Sequence, residues 1–196
     1  MRQGIRYVAL KRTMRHVMLG VVLFVLPGSA LWSLMPLYAK TALGWGAQGF
    51  GILVAMIGVG AVVGASMLPR VRSRLGSDRT IAAAMTLYAI GMLTLSSEPA
   101  WPILLAATLL MGCGWMATLT TLNATAQITL PSRLRARGMG CYLTMMAGSM
   151  SLGSFVWGQT AGAIGMSGAM LASGIAMIAT AMISLLFPLA ATLDDA

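Results

Sequence analysis

Six residues between positions 118 and 127 can hydrogen-bond inside an otherwise apolar run: Thr118, Thr120, Thr121, Asn123, Thr125 and Gln127. At helical spacing, Thr120, Asn123 and Gln127 share one face, and Thr118, Thr121 and Thr125 form the neighbouring one. Side-chain amides facing lipid are costly, so this sector must look toward other helices or toward water. Its chemistry is hydrogen bonding, either between helices or to a solute passing along a wall or inner gate. A thinner polar line, Ser29, Trp32 and Ser33, sits between Pro27 and Pro36, and a third runs through Ser149, Ser151, Ser154, Trp157 and Gln159. Substrate-path candidates are therefore Ser29, Trp32, Ser33, Asn123, Gln127 and Trp157.

Catalytic and metal chemistry find little material here. The single histidine is His16, and Cys113 and Cys141 are isolated thiols without metal-ligand spacing. No catalytic residue, metal or cofactor is expected, and the chain does not read as an enzyme.

The elements that position the polar rows are set by composition. The chain is 58% hydrophobic and 9% charged, where a soluble domain carries about 25% charge. A membrane helix needs about 20 mainly apolar residues. Six segments qualify: Val17–Ala39, Gly49–Leu68, Thr80–Leu95, Pro102–Ile128, Met139–Ala161 and Ser167–Leu189. They lack the period-two alternation of barrel strands. The expected fold is an all-α membrane protein, a six-helix bundle. Residues 1–16 form a basic cytoplasmic linker or surface helix, 17–190 the bundle, and 191–196 a short acidic cytoplasmic tail.

Charge sets the orientation. Arg2, Arg6, Lys11, Arg12 and Arg15 precede the first segment, Arg70, Arg72, Arg74 and Arg79 follow the second, and Arg133, Arg135 and Arg137 follow the fourth. With six crossings all of these share one side, leaving Lys40 alone on the other. The excess of basic residues places that side, with both termini, in the cytoplasm. The net charge of +9 thus reports membrane orientation, and no nucleic-acid partner is expected. Every Asp, Glu, Lys and Arg falls outside the apolar segments, which argues against a proton relay or voltage sensor built from these spans alone.

Small residues four apart let helices approach closely in lipid. Gly60 and Gly64 form one such pair, and Ser154, Gly158 and Gly162 form a longer row. Both read as packing seams, whether static or sliding during transport. The first triplet of spans starts inside and the second triplet outside, a 3+3 inverted plan found in secondary transporters.

Four stretches carry a resemblance: "GIRYVALKRTMRHVML", "LMPLYAKTALGWGAQGFGILVAMIGVGAVVGASMLPRVRSR", "GWMATLTTLNATAQITLPSRLRARGMGCY" and "GSMSLGSFVWGQTAGAIG". Together they resemble the second half of a major facilitator superfamily exporter, in the transmembrane secretion effector branch that includes enterobactin-exporter-like proteins. The resemblance implies half of a twelve-helix fold, corresponding to spans 7–12, and efflux of small molecules across the bacterial inner membrane. It implies a partner as well: an N-terminal six-span half, in the same chain in full-length relatives, or a second copy. Membrane lipid is the surrounding solvent. The stretch Arg70, Arg72, Arg74, Asp78 and Arg79 resembles the family's basic loop that helps lock the cytoplasmic side. It departs from the Gly-x-x-x-Asp-Arg pattern, since Gly64 is too far from Asp78 and Gly76 too close. Pro131, Arg135, Arg137 and Gly138 resemble the second basic loop. The length of the chain leaves three readings: a piece of a longer chain, a half-sized transporter, or an inactive remnant or scaffold.

Overall fold

The computed structural model describes residues 11–41, 43–44 and 46–187, and these contain four helices and no strand. They are α1 (Arg12–Thr41), α2 (Ala47–Ser96), α3 (Trp101–Thr129) and α4 (Arg135–Leu185). Each is long and apolar enough to cross a membrane. The expected surface segment at 1–10 and the acidic tail at 191–196 lie outside the described residues. Arg12–His16, assigned to the linker by sequence, are instead the first turns of α1.

The six separate helices expected from hydropathy are corrected to four continuous helical runs. The segments 49–68 and 80–95 lie in α2, and 139–161 and the described part of 167–189, to Leu185, lie in α4. The physical reason is that helical geometry on each side runs up to a single glycine, so no loop separates the paired segments although hydropathy falls between them. In each long run one residue leaves helical geometry: Gly76 (φ 76, ψ 171) in α2 and Gly165 (φ 81, ψ 170) in α4. Glycine adopts positive φ without the Cβ clash that excludes other residues.

Each glycine joins two helical arms across a kink, and contacts on either side show how sharp the kink is. A straight helix would hold Gly60 and Gly91 about 46 Å apart, yet Gly60 abuts Leu109 and Gly91 abuts Met111 and Ala107. Gly64 then meets Cys113, so the first arm (47–75) runs parallel to α3, whereas Gly114 meets Ala84 and the second arm (77–96) runs antiparallel. The chain therefore doubles back at Gly76. In α4, Trp157 bonds Leu26 and Ser173 bonds Pro27, although 16 helical residues would separate them by about 24 Å. Here the reversal is at Gly165.

Helix ends follow local chemistry. Pro102 occupies the first turn of α3, where a missing N–H costs nothing. Leu130, held extended (φ −84, ψ 123) ahead of Pro131, ends it, because a residue before proline is driven out of the α region. α1 is the most enclosed helix, burying Met14, Phe24, Leu31, Met35 and Tyr38. Val62, Leu152, Phe155 and Met182 lie exposed on the outside, as lipid-facing residues do. At one end His16, Asp78, Leu122, Ser184 and Phe187 surround a small cavity. At the other, Tyr38 donates to Leu95 O at 2.9 Å and Ser167 donates to Glu98 Oε1 at 2.7 Å.

Candidate functional site

The polar sector of α3 divides into two. Thr118, Thr121 and Thr125 are buried, and two of them turn back onto their own helix: Thr121 donates to Ala117 O at 2.7 Å and Thr125 to Thr121 O at 2.9 Å. Thr118 Oγ1 is buried without a partner. The amides face the other way. Asn123 is half-buried and Gln127 exposed, and the Gln127 amide donates to Asn123 Oδ1. With Leu119, Thr120, Ala124 and Ile128 they line an open concavity of about 480 Å³. That volume lies within the range of small-molecule sites, roughly 300–1,000 Å³.

The candidates on α1 and α4 have a different role. Ser29 is fully buried and donates to Leu26 O at 2.8 Å. Ser33 is half-buried and donates to Ser29 O at 2.9 Å. Trp157 is buried and its indole N–H donates to the same Leu26 O at 2.8 Å. The next two carbonyls are also taken, Pro27 O by Ser173 Oγ at 2.8 Å and Gly28 O by Tyr88 Oη at 2.8 Å. Three successive carbonyls of α1 thus receive side chains from the second arm of α2 and both arms of α4. Ser29 and Trp157 belong to this hub and do not join the concavity of α3. Tyr88 and Ser173 were not singled out from sequence, and only their contacts reveal them.

Trp32 is the α1 candidate with a ring contact to α3. Its ring meets Trp115 edge-on, with centroids 5.5 Å apart, and Trp115 also contacts Phe24 at 5.2 Å and Tyr88 at 6.0 Å. Trp115 lies one helical turn before Leu119 and packs in this aromatic cluster, outside the lining of the concavity. The sequence offered one signal for it: Trp115, Leu119, Asn123 and Gln127 recur every four residues.

The basic stretches differ from loops. Arg70, Arg72, Arg74, Asp78 and Arg79 lie within α2, on both sides of Gly76, and Arg135 and Arg137 lie in the first turn of α4. Only Pro131–Leu134 forms a non-helical link, turned by a bond from Leu134 N to Pro131 O of 2.9 Å. Charge moved these arginines out of the apolar layer without ending the helix. Asp78 shares the small end cavity with His16.

The glycine rows also separate. A Cβ on Gly60 would stand 2.0 Å from Leu109 O, and one on Gly64 2.8 Å from Cys113 Cα. The Cys113 thiol donates to Gly60 O at 3.0 Å across the same seam. Gly158 and Gly162 have nothing within 4 Å, and Ser154 is half-buried. Among the described residues no group of three or more His, Cys, Asp or Glu is arranged to hold a metal.

A bundle of long apolar helices is the architecture of a membrane-spanning protein. The chain belongs to the transmembrane secretion effector family of the major facilitator type, whose family model matches residues 1–196. No curated protein and no solved structure matches it.

Proposed function

We propose that the chain is one six-span half of a secondary transporter that exports small molecules, with the Asn123–Gln127 concavity forming part of the solute path. The observation that carries this reading is the paired amides opening outward, where lipid would penalise them, while the neighbouring threonines are closed against their own backbone. A wet or partner-covered face accounts for both.

The reversals at Gly76 and Gly165 support six crossings. α1 with the arms of α2 then forms one triplet and α3 with the arms of α4 the other, a 3+3 inverted plan. The basic residues gather at the end holding Gly76 and Pro131, which supports a cytoplasmic location for that end and for both termini in a bacterial inner membrane. A complete path needs a second six-span bundle facing this one, from a separate first half, the same longer chain, or a second copy. Ser33 and Trp32 stand on the α1 side of that path.

Solute flux in reconstituted vesicles, with and without a co-expressed six-span first half, tests the proposal. Flux is expected with the first half present. Asn123→Leu with Gln127→Leu should cut it about fivefold or more, the worth of roughly one hydrogen bond, with membrane insertion unchanged. Unchanged flux in the double variant removes the amides from the path. A second reading, a non-transporting scaffold or inactive remnant, draws support from the apolar segments carrying no Asp, Glu, Lys or Arg to couple an ion. Absence of flux in both conditions selects it.

A further inference from the structure

We propose that the outward face of α2 just before Gly76 binds the headgroup of an anionic phospholipid, with Arg70 and Arg74 holding its phosphate. Helical spacing sets their direction. Val59, Val63, Met67, Arg70 and Arg74 follow one another at intervals of three or four residues along the first arm, and all five are exposed. The apolar members of that stripe face lipid. The two arginines therefore stand on the same side, one to two turns further along, where hydrocarbon gives way to headgroups. The helix does not end at Leu68 but keeps its geometry up to Gly76, which holds the pair about 6 Å apart along the axis. Ser73 closes its hydroxyl on Arg70 O at 2.9 Å, and Arg72 is half-buried on the opposite side.

Their charge has no counterpart within the bundle. Nine arginines fall in the described residues, all toward the end that holds Gly76 and Pro131. Among the described residues none of their side chains makes an ion pair or a hydrogen bond. The one acidic residue described at that end, Asp78, lies beyond Gly76 on the other arm, where it is half-buried and lines the small cavity with His16. It does not neutralise the outward face of the first arm. A guanidinium is a planar fork of donors that matches the oxygens of a phosphate, and each basic side chain near a membrane surface adds about fivefold to the affinity for anionic lipid. Val63 and Met67 give acyl chains an apolar surface directly beside the arginines, so one face of one helix meets both the tails and the headgroup.

Native mass spectrometry of the full chain in detergent, titrated with single lipids, reads the dissociation constant of the first lipid bound and needs neither a partner half nor flux. Phosphatidylglycerol is expected to bind about tenfold more tightly than phosphatidylcholine with the same acyl chains. Arg70→Gln with Arg74→Gln should weaken phosphatidylglycerol about tenfold or more and leave phosphatidylcholine unchanged. Glutamine forms helix about as well as arginine, and the phosphatidylcholine value checks that the surface is intact. Arg70→Gln alone, expected to cost about fivefold, stands in if the double variant is not monodisperse. Arg135→Gln with Arg137→Gln removes the same charge from the first turn of α4 and should cost about twofold or less, as a distant charge in water does. Equal affinities for the two lipids overturn the charge claim. Equal losses in the two double variants overturn the location and leave a diffuse basic field. Glycerophosphoglycerol, the soluble headgroup without acyl chains, is expected not to displace the lipid at matched concentration. Displacement by it overturns the membrane source in favour of a free phosphate ester.

Discussion

Two rows of small residues at the same four-residue spacing meet opposite fates. Gly60 and Gly64 in the first arm of α2 lie against the backbone of α3, so close that a methyl group on Gly60 would sit 2.0 Å from Leu109 O. Gly158 and Gly162 in the first arm of α4 face outward with nothing within 4 Å. The first row is a closed seam inside the bundle. The second is left uncovered, and small residues at this spacing let a further helix approach closely, which suits the second bundle proposed above. Identical spacing therefore defines a surface that can be approached, and the arrangement of the other helices decides whether anything in this chain approaches it.

Substitutions can break or sharpen that contrast. The largest effect is expected for Gly60→Ala, where a backbone carbonyl cannot yield as a side chain can. It should destabilise the protein by about 2 kcal/mol or more, after allowing for alanine's better helix propensity, read from thermal unfolding in detergent. A wild-type midpoint would mean that the α2–α3 seam is looser than its contacts indicate. Next comes the hub on α1. Tyr88→Phe and Ser173→Ala each remove one interhelical bond and should each cost about 0.5–1 kcal/mol, by the same measurement. Losses approaching that of Gly60→Ala would assign the cohesion of the arms to the hub. The smallest effect is expected for Gly158→Ala with Gly162→Ala, whose isolated chain should be unchanged or stabilised by up to about 1 kcal/mol per site. Clear destabilisation there would show that the row is already covered.

Hydropathy located the apolar stretches well because it reports the solvent each residue prefers. It misread the ends of the elements for the same reason. The arginines from 70 to 79 leave the apolar layer, yet their backbone hydrogen bonds are satisfied within α2 whether the surroundings are lipid or water, so the helix runs on to Gly76. Pro69 does not stop it either; its ring removes one N–H but leaves the flanking turns to hold the geometry. The site was legible in part. Asn123 and Gln127 announce themselves as amides in an apolar run, whereas Trp115 and Tyr88 look like ordinary aromatic core residues until their contacts are seen. Ser29 and Trp157 read as path residues because their polar atoms have no marked destination in the sequence; the carbonyls of Leu26 and its neighbours turn out to be the destination.

Residue types alone determined that this chain partitions into lipid, that its basic groups collect between apolar stretches, and that α3 carries a polar sector, since each follows from the transfer energy of individual side chains and a helical period. Only the tertiary structure decided which half of that sector is closed and which is open, which glycine row is a seam, and that two 50-residue-class helices fold back at Gly76 and Gly165. Those outcomes depend on atoms far apart in the chain coming within contact distance, and no local property of either partner contains them.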